Sequence, residues 1–160
     1  MTIERSELTH TDLEDLRNTR NDYRVRRWMK TDQIISSEEH LRWFKSSKYL
    51  HLFSVWRKSL CGEIVGYSYL NPSNLLACNN CYDIGLFKIP GEEPGTGAEI
   101  LQHTECFAAK TLGRCTLLAQ VKVTNMKSIK LFVNAEFSET LSVDRHYRLF
   151  KKDLFIDSSV

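Results

Sequence analysis

Apolar positions in this chain switch between two spacings, and the switches mark the elements. Residues 2–8 alternate weakly and predict a first strand. Thr11, with Glu14 three residues on, has the form of a capping box, and Leu13, Leu16 and Val25 put an apolar stripe on the helix and the segment after it. Ser36 and Glu39 form a second box, opening a helix that turns Leu41, Phe44 and Trp43 inward. Aromatic and branched residues crowd 49–56; a turn at 59–62 and a run over 63–70 complete a hairpin. Asn71-Pro72-Ser73-Asn74 ends it, and 82–89 supplies the next strand. Proline and glycine exclude regular structure from 90–97. Ile100, Leu101, Thr104, Phe107, Ala108 and Leu112 then recur at helical spacing over 98–112, closed by Gly113. A strand over 116–123, a short helix over 125–134 and a last strand over 146–155 finish the chain. This order predicts one mixed α/β domain of the α+β kind over residues 1–160, mostly antiparallel, with a single βαβ unit.

Composition and charge change the picture mainly by exclusion. With 22 basic and 20 acidic residues the formal net charge is +2, which argues against nucleic acid as the partner. A hydrophobic content of 42% excludes a disordered chain, and 7 Gly with 3 Pro exclude collagen-like or low-complexity classes. No apolar run approaches the roughly 20 residues that span a bilayer, so no membrane is expected. Residues 1–5 lack the apolar core of an export signal, and a cytoplasmic protein with reduced thiols is the expectation. Five cysteines are present, an odd number. Cys78-Asn79-Asn80-Cys81 has the spacing of a zinc knuckle or a redox pair, but no second close pair of Cys or His completes a four-ligand set. The expectation is therefore no metal, and two reduced thiols near a strand start.

The segment richest in chemistry is strand, glycine turn, helix: Asp83 to Pro90, then Gly95-Thr96-Gly97, then Ala98 onward. Paired glycines let the backbone turn tightly and bring N–H groups close to a ligand. A helix start adds unpaired donors and the positive end of the helix dipole, which together suit a pyrophosphate. Ile100 stands where a dinucleotide-binding fingerprint has its third glycine, and no Gly-Lys-Ser/Thr follows as in a Walker loop.

In this setting the chain resembles the GNAT superfamily of N-acetyltransferases over nearly its whole length. The family's acyl-CoA loop reads Gln/Arg-x-x-Gly-x-Gly/Ala; Gly95 and Gly97 match it, whereas Glu92 occupies the first position. A later landmark is Asn125, then Ser128, Leu131 and Phe132 on a helix, then Phe137 after the turn; Phe132 stands where the family usually has Tyr. Arg20-Asn21, residues 25–32, Ile34-Ile35 and Glu38-Glu39-His40-Leu41 are similar to a narrower branch, the N-acetyltransferases of pseudaminic acid biosynthesis. Their acceptor is UDP-4-amino-4,6-dideoxy-N-acetyl-β-L-altrosamine, and the product feeds flagellin glycosylation.

The resemblance implies a GNAT fold, a mixed, mostly antiparallel sheet flanked by helices, and acetyl-CoA as co-substrate. Direct attack of a neutral amine on the thioester needs a base, donors for the developing oxyanion and an acid for the leaving sulfur. Asp83 matches the acidic position of relatives and is the candidate base, with His40 as the other titratable candidate. A backbone N–H near Leu86 or Phe87 is the oxyanion donor. Phe132 has no proton to give, so Tyr147 or Tyr69 is expected to serve, or the thiolate leaves unaided. Leu86, Phe87, Gly95, Thr96, Gly97, Ala98, Asn125, Ser128 and Phe132 are the expected acetyl-CoA contacts. Arg20, Trp28, Met29, Thr31 and His40 are the expected contacts to a UDP-amino-sugar substrate, the arginine toward its diphosphate. A homodimer is compatible with the resemblance. Two alternatives remain: an acetyltransferase for protein N-terminal or small-molecule amines, and a catalytically weak acyl-CoA-binding protein.

Overall fold

The computed structural model describes residues 2–76 and 78–155. Strand β1 (Ile3–Glu7) leads through a short 3-10 turn into helices α1 (Leu13–Asn21), α2 (Tyr23–Arg26) and α3 (Ser37–Ser46). Strands β2 (Phe53–Lys58), β3 (Ile64–Pro72) and β4 (Cys81–Lys88) follow. Helix α4 (Thr96–Leu112), strand β5 (Cys115–Lys122), helix α5 (Met126–Asn134) and strands β6 (Ser138–Thr140) and β7 (Tyr147–Leu154) complete it. One seven-stranded sheet runs in the order β1-β2-β3-β4-β5-β7-β6. Every neighbouring pair is antiparallel except β4 and β5, the βαβ unit that the element order predicts.

Helices cover both faces. Even-numbered β4 residues face α4 and α5: Ile84 packs with Leu101, Ala108, Ile129, Phe132 and Phe150. Odd-numbered ones face α1 and α3: Phe87 packs against Leu13, Leu16, Phe53 and Tyr67. Each such fully buried apolar side chain contributes about 1.5–3 kcal/mol relative to an exposed one. Helix α4 is also pinned by a buried polar chain, in which Trp56 Nε1 donates to Ser68 Oγ (2.9 Å) and Thr104 Oγ1 donates to the same oxygen (2.8 Å). No helix among the described residues is long and apolar enough to cross a membrane.

Several local expectations need correcting. The first cap is made by Thr9, not Thr11: the Thr9 N–H and hydroxyl both donate to Asp12 (3.0 and 2.8 Å), whose carboxylate also takes Arg57 from β2. Glu14 pairs instead with Arg17 on the exposed side of α1. The Ser36–Glu39 box forms as expected, with Glu39 N–H on Ser36 Oγ (3.2 Å) and Ser36 N–H on Glu39 Oε2 (2.8 Å). Trp43, expected inward, is among the exposed hydrophobics, and the buried residue of α3 is His40. Cys78 and Cys81, expected as reduced thiols, are brought face to face. The turn between them, with Asn80 in the left-handed region, sets their Cα atoms 6.0 Å apart, within disulfide reach.

Candidate active site

The site begins where the sheet comes apart. Pairing of β4 with β5 covers only Cys81–Thr116, Tyr82–Leu117 and Asp83–Leu118. Beyond Asp83, β4 stays with β3 and β5 stays with β7, so the two central strands diverge. The backbone groups on that side of β4 lose their partner strand. Which groups these are follows from strand alternation. Ser73 N–H donates to Cys81 O and Ile89 N–H donates to Val65 O, so the odd residues of β4 bond to β3. The N–H groups of Ile84, Leu86 and Lys88 therefore point to β5's side, and those of Leu86 and Lys88 face the gap. Of the two expected oxyanion donors, the Leu86 amide has no strand partner among the described residues, while the Phe87 amide is spent on β3.

At the far end of β4, residues 90–95 lead into α4. Gly95 has φ +95, a conformation that L side chains rarely adopt, and it caps the helix without a side-chain bond. Thr96 turns its hydroxyl back to Glu93 O (2.9 Å), and the Ala98 N–H is used by Gly95 O (2.9 Å). Neither the Gly95 nor the Gly97 N–H has an acceptor among the described residues. Two unpaired amides at a helix N-terminus are a good fit for a pyrophosphate. Glu92, the residue that departs from the expected loop pattern, is turned toward β2: its Oε1 lies 3.4 Å from Lys58 Nζ. Lys88 Nζ reaches the Glu92 and Glu93 carbonyls, holding their oxygens away from the helix start. Lys88 was not singled out by sequence; a lysine ending a strand carries no signal until the loop folds back on it.

The opposite face of β4 carries the titratable groups. Asp83 accepts from Ser73 Oγ, yet burial outweighs that bond and pushes its carboxyl above the ordinary carboxylate value; Lys30 nearby pulls the other way. Tyr69 lies beside it on β3, its phenol pushed up by burial and by Asp83. Arg20 joins them from the end of α1. Its Nη2 donates to Thr31 O (3.4 Å), while the enclosed Nη1 has no partner among the described residues. The loop after α2 is drawn over the gap by Lys122 of β5, whose Nζ donates to Arg27 O (2.8 Å). This loop carries Trp28 and Met29, both half-buried, with the Arg27 guanidinium over the Trp28 ring (4.7 Å). Arg20, Arg27 and Lys30 are in no salt bridge among the described residues, whereas Arg17, Arg24 and Arg26 are paired with Glu14, Asp22 and Asp32.

Other expected site residues have structural partners. His40 is 7% exposed, stacked on Trp43 (5.1 Å), with Leu13, Glu14, Arg17 and Arg20 as its other neighbours; burial lowers its pKa. It packs α3 on α1 and is not brought to Asp83. Phe132 is 5% exposed, edge-on to Phe137 (5.1 Å) and stacked on Phe150 (6.4 Å). Asn125 caps α5, its Oδ1 accepting the Ser128 N–H (3.2 Å). Tyr147, opposite Lys122, lines a surface cavity of about 580 Å³ with Glu139, Thr140, Leu141, Ser142 and Arg148 at the outer strands. Strand β5 separates it from Asp83.

No protein-family model matches this chain, and no curated protein matches it. Solved structures do. A domain from Methanocaldococcus jannaschii superposes with a TM-score of 0.80 at 19% identity, covering 96% of this chain and 99% of that one. Spermidine N-acetyltransferase from Vibrio cholerae, solved with CoA and spermine, gives 0.77 at 13% identity, covering 95% and 94%. Ribosomal-protein-alanine N-acetyltransferase from Brucella melitensis gives 0.73 at 19%, covering 96% and 100%. The chain has the fold of the GNAT acetyltransferases, as its element order and loop residues led one to expect.

Proposed function

We propose that this protein is an acetyl-CoA-dependent N-acetyltransferase whose acceptor is the amine of a UDP-linked amino sugar. The observation that carries the first half is the pairing of an open β4 edge with unpaired amides at Gly95 and Gly97. An acyl-pantetheine arm is an extended amide chain and fits a strand edge; its pyrophosphate fits the helix start. Acetyl-CoA supplies the activated acyl carbon. The N–H of Leu86 would meet the developing oxyanion, and Asp83, its basicity raised by burial, would take the amine proton.

The acceptor reading rests on charge and on the N-terminal run that resembles the sugar-nucleotide branch. Lys30 lies near the Asp83 carboxylate and Arg20 near Tyr69, and neither they nor Arg27 is in a salt bridge among the described residues. They favour an amine that also bears an anionic group, such as a diphosphate, and they repel a polycation. The Vibrio cholerae neighbour was solved with spermine; the basic rim here argues for a different acceptor.

Free CoA release is the test, measured with acetyl-CoA and three amines: a UDP-4-amino-4,6-dideoxy sugar, spermidine and an alanine-terminated peptide. Turnover with the sugar nucleotide is expected to exceed the others by at least about tenfold in kcat/KM, a difference of about 1.4 kcal/mol. Preference for the peptide or spermidine would overturn the acceptor. Absence of any acetyl-CoA binding by calorimetry would overturn the enzyme.

A further inference from the structure

The reaction needs a proton for the departing sulfur, and Phe132 cannot give one. A hydroxyl exists elsewhere, on the other side of the sheet. Tyr69 and Gly85 sit directly opposite one another in the β3–β4 ladder, and by the alternation above they form a hydrogen-bonded pair. At such a pair the Cα atoms are about 5.5 Å apart. The Tyr69 ring leans across this distance and lies on Gly85: a Cβ there would collide with its Cζ, Cε1 and hydroxyl oxygen. Only glycine leaves that space. The phenol is thereby laid over β4 at Gly85, two residues past Asp83, the last β4 residue paired with β5. Phe53 stacks on the ring (6.4 Å, 18° between planes) and fixes its direction. Its charged neighbours are Asp83, two residues from Gly85 on the same face, and Arg20. Burial and Asp83 both keep the phenol protonated, which suits a donor and not a base.

Resting on the acetyltransferase reading, we infer that Tyr69, admitted by Gly85, is the proton donor to the leaving thiolate, replacing the tyrosine absent at position 132. As the amine nitrogen bonds to the acyl carbon, its proton passes to Asp83. The carbon–sulfur bond breaks with its electron pair on sulfur, and sulfur takes the phenolic proton. The phenolate is then reprotonated by the Asp83 carboxyl. Amine and thioester become amide and thiol, and both side chains return to their starting state.

The test is Tyr69→Phe, which keeps the ring and its stacking. With whichever of the three amines the wild type turns over fastest, kcat should fall about 10²-fold. The acetyl-CoA Kd by calorimetry should change less than about twofold, and Tm by less than about 2 °C. Gly85→Ala, which pushes the hydroxyl aside without removing it, should lower kcat in the same way with acetyl-CoA still bound. A Tyr69→Phe kcat within about threefold of wild type overturns the donor role while leaving the enzyme reading intact. So does a fall in kcat matched by an equal loss of Tm or affinity, the signature of packing. A wild type that binds acetyl-CoA yet releases no thiol with any of the three amines overturns both.

Discussion

At the scale of single residues, Asp83 is a carboxyl that burial holds against ionisation. Its carboxyl is half-buried on β4, and desolvation exceeds what the Ser73 hydroxyl and Lys30 give back. A carboxyl with a raised native pKa binds its proton more tightly folded than unfolded. Stability from this group therefore falls as pH rises from the ordinary carboxylate value to the raised one, and the penalty is complete above it. Asp83→Asn should accordingly raise Tm at pH 7 and leave it unchanged below about pH 3, while kcat at pH 7 drops by at least about 10²-fold. Calorimetric scans at the two pH values, with a CoA-release assay, check both signs; a Tm loss at pH 7 would show Asp83 to be a structural carboxylate. Glu136 is strained differently. It takes a left-handed conformation (φ 65) just after α5, a place where glycine is more usual, and nothing in the structure explains the choice of glutamate.

At the scale of elements, the loop into α4 is a shaped object. Lys88 holds its carbonyls from below, Lys58 draws Glu92 outward, and Thr96 folds back on Glu93, so the remaining free donors are amides. Its tolerance can be separated from its use. A Cβ at Gly97 would meet only Leu131 Cδ2, at 4.0 Å, so a side chain there costs the fold little. Under the proposed function, bulk over the Gly97 amide costs pyrophosphate binding. Gly97→Val should weaken acetyl-CoA binding by at least about tenfold, or 1.4 kcal/mol, with Tm of the free protein nearly unchanged. Unaltered affinity by calorimetry would remove the pyrophosphate from this loop. The element pattern itself was largely legible: the Ser36–Glu39 box, the 98–112 periodicity and Gly113 each follow from local physics. The first cap was misplaced because Thr9–Asp12 and Thr11–Glu14 are equally good on paper, and only Arg57, 45 residues away, rewards one of them.

At the scale of the whole molecule, the separation of β4 from β5 is a gap in the sheet's hydrogen bonding at its centre. A ligand that occupies it binds the native state alone and bridges the two halves of the sheet. Acetyl-CoA at about a hundred times its Kd should stabilise by about 2.7 kcal/mol, raising Tm by about 5–10 °C for a chain of this size. A flat thermal-shift titration would count against any ligand in the gap. The charge pattern also has meaning only at this scale. The net charge of +2 is unremarkable, yet within residues 17–30 Arg17, Arg24 and Arg26 are paired while Arg20, Arg27 and Lys30 are in no salt bridge among the described residues.

What the chain determined alone is what depends on neighbours in sequence. Helix starts and stops, the glycine turn before α4 and the alternating strands all rest on interactions within a few residues, so the fold class and the glycine turn could be read directly. What the tertiary structure decided is which of several chemically equal residues share a place. His40, Tyr69 and Tyr147 carry similar credentials as titratable side chains. Packing sent His40 into the contact of α1 with α3 and set Tyr147 beyond β5; it laid Tyr69 across Gly85. Sheet register and ring packing are long-range choices, made by the burial of the whole core, and no local pattern encodes them.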